Sequence, residues 1–210
     1  MDSAETIDTG KPPGWVETAR AGLEVRFRKL LNPFILLLQR LGIKPNQVTL
    51  VELFVNLLVV GFLLNGWLVT AGILFLLAGV FDVVDGSLAR LTRQVTPYGA
   101  FLDSTIDRVS EGIIFAAIAY RFTFTGESLA VVCVILALMG AMLTSYTRAK
   151  AESLGIACTV GLVSRSERVM LISAGLIFDQ LVMIIYLLVA LTAWTVLQRI
   201  YHVRRRLLSG

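Results

Sequence analysis

Six apolar stretches follow one another along this chain, at residues 47–64, 67–90, 98–120, 128–146, 166–178 and 181–197. A helix needs about 20 residues to cross roughly 30 Å of hydrocarbon. The succession therefore predicts an all-α integral membrane protein with six transmembrane helices. The fifth stretch is the shortest, because its uninterrupted apolar run covers only 169–178. Its helix is expected to begin in the polar residues near Arg165 and to be shielded by neighbours, with Asp179 and Gln180 making a tight turn after it. Composition excludes an ordinary soluble domain: 56% of residues are hydrophobic, 16% are charged and the mean hydropathy is +0.78. Cys133 and Cys158 lie apart, with no CxxC and no neighbouring histidine, so neither a disulfide framework nor a zinc site is expected.

Four regions follow from this pattern. Residues 1–12 read as a flexible polar N-terminus, without the basic start and apolar core of a cleaved signal peptide. Residues 13–44 read as a juxtamembrane amphipathic helix lying in the interface, interrupted near Pro33. There Val16, Ala19, Leu23, Phe27, Leu30 and Leu31 recur at helical spacing against Arg20, Arg26, Arg28 and Lys29. Residues 45–198 form the six-helix domain, and 199–210 a basic tail in which His202 is expected to be solvated. The basic residues gather before span one, between spans two and three, between four and five, and after six, whereas the opposite loops carry only Arg121. By the positive-inside rule this is a multi-pass protein of the cell membrane with both termini and the loop between spans two and three in the cytoplasm. No nucleic-acid partner is expected.

That loop is flanked by acids. Asp82, Asp85 and Gly86 share one helical face at the end of span two, and Gly99, Asp103, Asp107 and Glu111 recur every four residues at the start of span three. Two adjacent helices joined through Thr96 and Pro97 would aim these faces at each other and make a four-carboxylate cup at the membrane surface. Ionisable groups at membrane depth are costly and mark functional sites. Four close carboxylates cannot all stay ionised without cations. All-oxygen ligands with neither histidine nor cysteine favour two hard ions, Mg²⁺ or Mn²⁺, and a two-metal site suits displacement at phosphorus. Gly86 leaves bare backbone where a diphosphate could approach, Gly99 permits spans two and three to pack closely, and Arg90 could hold a phosphate oxygen. The plain alternative is that the aspartates merely pair with Arg90 and Arg108, which leaves a surplus of negative charge.

The string Asp82, Asp85, Gly86, Ala89, Arg90, Gly99, Asp103, Asp107 resembles the complete signature of the CDP-alcohol phosphotransferase (phosphatidyltransferase) family, DxxDGxxAR followed by eight residues and GxxxDxxxD. The resemblance implies a six-helix membrane enzyme, homodimeric, that moves a phosphatidyl or archaetidyl group from a CDP-linked lipid to a hydroxyl and releases CMP. It implies that Asp82, Asp85, Asp103 and Asp107 bind two divalent ions and that Asp107 is also the general base. CDP-lipid contacts are implied for Asp82, Gly86, Ala89, Arg90, Thr96 and Gly99. The stretch Pro45, Asn46, Gln47, Val48 resembles the one that borders the same nucleotide pocket, although its residues also read as a simple helix start.

Arg148 and Lys150 at the end of span four, with Arg165 and Arg168 at the start of span five, would suit an acceptor that itself carries a phosphate. The alternative is that they serve topology and anionic-lipid contact. The stretches FLDSTIDRVSE, SYTRAKAES and SRSER resemble the subgroup that makes phosphatidylinositol phosphate or its archaeal ether-lipid counterpart. That points to inositol 1-phosphate as acceptor and CDP-diacylglycerol or CDP-archaeol as donor, with membrane lipids around it. Glu111 departs from the aspartate more usual there. Glu52 and Asn56 share a face of span one and either line the interior or bond another helix. Glycerol 3-phosphate or serine remains as alternative acceptor, a prenyltransferase as another diphosphate enzyme, and a divalent-cation transporter as a different class of protein.

Overall fold

The computed structural model describes residues 30–208, and among them every regular element is a helix. They are α1 (Leu30–Arg40), α2 (Pro45–Leu64), α3 (Leu68–Leu91), α4 (Pro97–Thr125), α5 (Ser128–Ser153), α6 (Arg165–Ile177) and α7 (Leu181–Leu208). Four of them, α2, α3, α5 and α7, are long and apolar enough to cross a membrane. The other two predicted spans differ for physical reasons. α4 has 29 residues but carries Asp103, Asp107, Arg108 and Glu111 in its first half, and α6 has only 13 residues, about 20 Å at 1.5 Å per residue.

Lipid is as apolar as leucine, so helices in a bilayer associate by close packing rather than by exclusion from water. Glycine supplies that closeness here. A methyl group on Gly140 of α5 would collide with Thr192 Oγ1 on α7, and one on Gly72 of α3 would lie 2.9 Å from the Ser173 carbonyl on α6. α2 packs on α3 and α4, α5 on α4 and α7, and α6 on α3 and α7. The shared core runs through Val59, Phe75, Ile118, Val134, Leu176 and Ile185. Outward-facing Phe54, Ile73, Ile135 and Trp194 remain exposed, as lipid-facing side chains of a bundle do.

The predicted amphipathic segment 13–44 is described only from Leu30, its earlier part lying outside the described residues. Within the described residues the helix runs from Leu30 through Pro33 to Arg40. Burial holds it: Ile35 and Leu38 pack with Val48, Val84 and Leu88 against the ends of α2 and α3. Leu30, Leu37 and Leu41 are exposed on its other side. At the opposite end of the chain, α7 continues through the predicted tail to Leu208. His202 of the predicted tail is therefore helical. It sits half-buried on the helix, with Nε2 3.1 Å from the Ala157 carbonyl oxygen.

Candidate active site

The polar chemistry gathers at one end of the bundle, where α2, α4 and α6 begin and α3 and α5 end. Only five residues separate α3 from α4, and Thr96 caps α4 by accepting a hydrogen bond from the Gly99 N–H at 3.0 Å. This short capped turn brings the two acidic faces together as the spacing predicts. Asp82, Asp85 and Asp103 each present a carboxylate oxygen within 4.8 Å of the others.

Asp107 is placed differently from the expected four-membered cup. It joins Asp82 and Glu52 in a second group of the same dimension, so the cluster holds five acids, with Asp82 common to both groups. Glu52 is wholly buried on α2 and was legible in the sequence only as a polar residue of uncertain role. The Asn56 side chain donates to the Glu52 backbone carbonyl at 3.0 Å. Thr49, unremarkable in the sequence, donates through Oγ1 to Asp85 Oδ2 at 2.7 Å. That bond satisfies one oxygen of a carboxylate left only 4% exposed.

A cation set among these acids is Arg165, the first residue of α6. Its Nη2 lies 2.5 Å from Glu52 Oε1, and its Nη1 lies 2.8 Å from Asp82 Oδ1 and 3.0 Å from Asp107 Oδ1. The helix start is itself fixed, because the Ser164 N–H donates to Glu167 Oε2 at 2.8 Å in a capping box. Arg108 instead donates to the Ser104 carbonyl, and Arg90 lies over Gly86 with Nη2 3.3 Å from Ser87 Oγ.

A cavity of about 420 Å³ opens beside the acids. Asp103, Asp107 and Glu111 line it together with Arg148, Arg165, Arg168 and Arg199. Arg168 is buried and grips Glu111 with two bonds, Nε to Oε1 at 2.6 Å and Nη2 to Oε2 at 2.9 Å. Arg148 is exposed and paired with Glu152 Oε1 at 2.8 Å. Lys150 is exposed and lies outside the lining, so it does not join the other three predicted acceptor residues. Arg199, assigned by sequence to the tail, takes a place in the wall. It is buried and donates to the carbonyls of Thr144 and Val160. A separate cavity of about 450 Å³ at the far end of the bundle is lined by Leu68, Phe122, Leu181 and Tyr186, with Arg121, Glu127 and Asp179 also on its wall.

The predicted nucleotide-side residues divide. Gly86, Ala89 and Arg90 follow the acids along the last turns of α3. Gly99 sits where a methyl group would meet Thr96 Oγ1 at 3.0 Å and Asn46 Oδ1 at 3.3 Å. The close approach it permits is therefore between the starts of α2 and α4, not between spans two and three. Of the stretch opening α2, Asn46 faces this junction and the exposed Gln47 accepts from the Lys44 N–H at 2.8 Å. Pro45 and Val48 are buried as packing residues.

The donor set fits a hard divalent cation. All ligands are carboxylate oxygens, and Asp103 Oδ1 and Glu52 Oε2 are buried without a hydrogen-bond partner. A buried carboxylate oxygen left bare is costly unless something else meets it.

Residues 43–202 match the profile of a family described as CDP-alcohol phosphatidyltransferase. The chain is 36% identical over 189 residues to the archaetidylinositol phosphate synthase of Methanothermobacter thermautotrophicus, covering 87% of this chain and 94% of that one. It is 34% identical over 155 residues to the phosphatidylinositol phosphate synthase of Mycobacteroides abscessus, covering 73% and 70%. The crystal structure of the Mycobacterium tuberculosis phosphatidylinositol phosphate synthase with CDP-DAG bound superposes with a TM-score of 0.76 at 25% identity, over 83% of this chain and 94% of that one. The same enzyme in complex with manganese and citrate gives 0.75 at 26% identity, over 81% and 87%.

Proposed function

Because this chain belongs to the CDP-alcohol phosphatidyltransferase family, we propose that it joins inositol 1-phosphate to a CDP-linked lipid, CDP-diacylglycerol or CDP-archaeol, and releases CMP. It is a membrane transferase of phospholipid synthesis. The observation that carries the acceptor assignment is a single cavity lined both by Asp103 and Asp107 and by Arg148, Arg165, Arg168 and Arg199. A small alcohol bearing a phosphate has the complementary polarity: its hydroxyl goes to the acids and its phosphate to the arginines. The relatives, an archaetidylinositol phosphate synthase and a phosphatidylinositol phosphate synthase, support the same acceptor class.

In this reading Asp82, Asp85, Asp103 and Asp107 hold two divalent ions, Mg²⁺ or Mn²⁺. Such ions, when bound, supply charge to offset the pyrophosphate and polarise its phosphorus. Asp107 accepts the proton of the acceptor hydroxyl. The hydroxyl oxygen forms a bond to the lipid-side phosphorus, the bond from that phosphorus to the bridging oxygen breaks, and CMP leaves with the electron pair. Gly86, Arg90, Thr96 and Asn46 border the nucleotide at the starts of α2 and α4 and the end of α3. The lipid chains stay in the bilayer beside the exposed apolar faces of the bundle.

The reading includes six spans, with α4 and α6 crossing as packed members of the bundle whose polar residues face inward. It also includes a site open to the cytoplasm, the side on which the sequence concentrates its basic residues. The test is CMP release by the purified protein given CDP-diacylglycerol, inositol 1-phosphate and Mg²⁺, compared with Asp107→Asn. Loss of turnover in a folded variant is expected, and near-normal turnover would remove Asp107 from its role.

A further inference from the structure

Arg165 is out of place for a residue whose only task is to hold an acceptor. Its guanidinium spans three carboxylates from three helices, Glu52 of α2, Asp82 of α3 and Asp107 of α4. Two of its contacts, with Asp82 and Asp107, are made by the same nitrogen, Nη1, which has hydrogen-bond alignment with neither. The third, Nη2 to Glu52 Oε1, is the shortest and is a true hydrogen bond. Asp82 also belongs to the group with Asp85 and Asp103 that fits a divalent ion.

We infer that Arg165 is a built-in occupant of the ion site: its guanidinium neutralises Asp82 and Asp107 while no divalent ion is bound, and gives them up when one enters, pivoting on Glu52. The inference rests on the aspartates being the ion site. Charge drives the exchange. Buried acids without a counter-charge would push the starts of α2 and α4 and the end of α3 apart, and a guanidinium fork from α6 reaches in among three of them. A divalent ion brings twice the charge and takes carboxylate oxygens directly. With Asp82 turned to the ion, Nη1 loses its reason to point at the acids. The Glu52 bond keeps the head group at the same spot, on the wall of the cavity that Arg165 already lines. The aligned bond is thus a pivot, and the two unaligned ones are contacts made to be broken.

Reciprocal coupling supplies a test that does not depend on turnover. Purified full-length protein is titrated with Mn²⁺, the free ion followed by electron paramagnetic resonance. Thermal unfolding is measured with and without saturating Mn²⁺, for the unaltered chain, Arg165→Gln and Arg165→Lys. The expected result is that Arg165→Gln binds Mn²⁺ about tenfold more tightly, and that it lowers the unfolding midpoint by several degrees without Mn²⁺ but far less with it. Arg165→Lys keeps the charge without the fork and should fall between, which keeps the test decisive if the glutamine variant folds poorly. Equal loss of stability in the two conditions, or unchanged or weaker Mn²⁺ binding, would show that Arg165 stays in place and overturn the inference. Failure of the unaltered chain to bind Mn²⁺ would overturn the ion site itself, and the inference with it.

Discussion

Arg168 on α6 and Glu111 on α4 meet through two parallel bonds at 2.6 and 2.9 Å, and both side chains are almost fully buried. The third guanidinium nitrogen of Arg168 donates to Thr144 Oγ1 of α5 at 3.2 Å. One arginine thereby ties three helices together at the floor of the cavity.

Removing one member of such a pair leaves the other charged and unpaired. Glu111→Ala is expected to cost about 3–5 kcal/mol of stability, read as a lower midpoint of thermal unfolding in detergent. Glu111→Asp keeps the charge on a shorter stem and should cost less. If the alanine variant melts with the unaltered protein, Arg168 is not held by Glu111 in the way described.

Thr49 is the partner of a nearly buried aspartate. A hydrogen bond to a charged group contributes roughly 1.5–3 kcal/mol, and groups that orient metal ligands typically change affinity 10–100-fold, an effect expected here too. Thr49→Val, similar in shape, should weaken Mn²⁺ binding by about that factor, whereas Thr49→Ser should restore most of it. Equal affinity in the valine variant would mean that Asp85 needs no such orientation.

Gly140 faces Thr192 at the α5–α7 contact, where an added methyl would overlap both Oγ1 and Cβ of the threonine. Gly140→Val is expected to cost at least the 1–3 kcal/mol typical of overpacking, and Gly112→Val, where nothing lies within 4 Å of the added carbon, to cost little by clash. Similar thermal midpoints for both variants would contradict the close packing assigned to Gly140.

Cys158 lies in the connection between α5 and α6, wholly buried, and burial pushes its thiol above the ordinary cysteine range. The raised value means that the reactive thiolate is scarcer at any given pH than in an exposed cysteine. Alkylation of Cys158 in the folded protein should be slow at neutral pH and quicken only as pH rises well past the usual thiol range. Rapid labelling near pH 7, located by mass spectrometry, would show this connection to be open.

The helices α2, α3, α5 and α7 were legible because long apolar runs leave a chain in lipid little choice but helix, although α5 and α7 run past their apolar stretches to Ser153 and Leu208. The pairing of Asp82 and Asp85 with Asp103 was legible because four-residue spacing and a short capped loop decide which faces meet. Arg165 was legible as a basic residue near the site but not as the cation inside it. Its contact with Glu52 crosses 113 positions of sequence and depends on how α6 packs on α3, which in turn packs on α2. Arg199 was read as tail because a charge following an apolar run looks like the end of a span. The burial that makes it structural comes from α5 and the 154–163 connection, which no periodicity within α7 reveals. Lys150 shows the reverse: a charge near the motif in sequence lies on the wrong face of α5.

The most direct test of the proposed activity is CMP release by purified protein supplied with CDP-diacylglycerol and Mg²⁺, with inositol 1-phosphate, glycerol 3-phosphate, serine and inositol offered in parallel, and CDP-archaeol as a second donor. Release that depends on inositol 1-phosphate and yields a phosphoinositide lipid is the expected result. Release that depends on another of the alcohols would contradict the acceptor assigned to the arginine-lined cavity, and no release with either donor and any acceptor would contradict the transferase chemistry assigned to the aspartates.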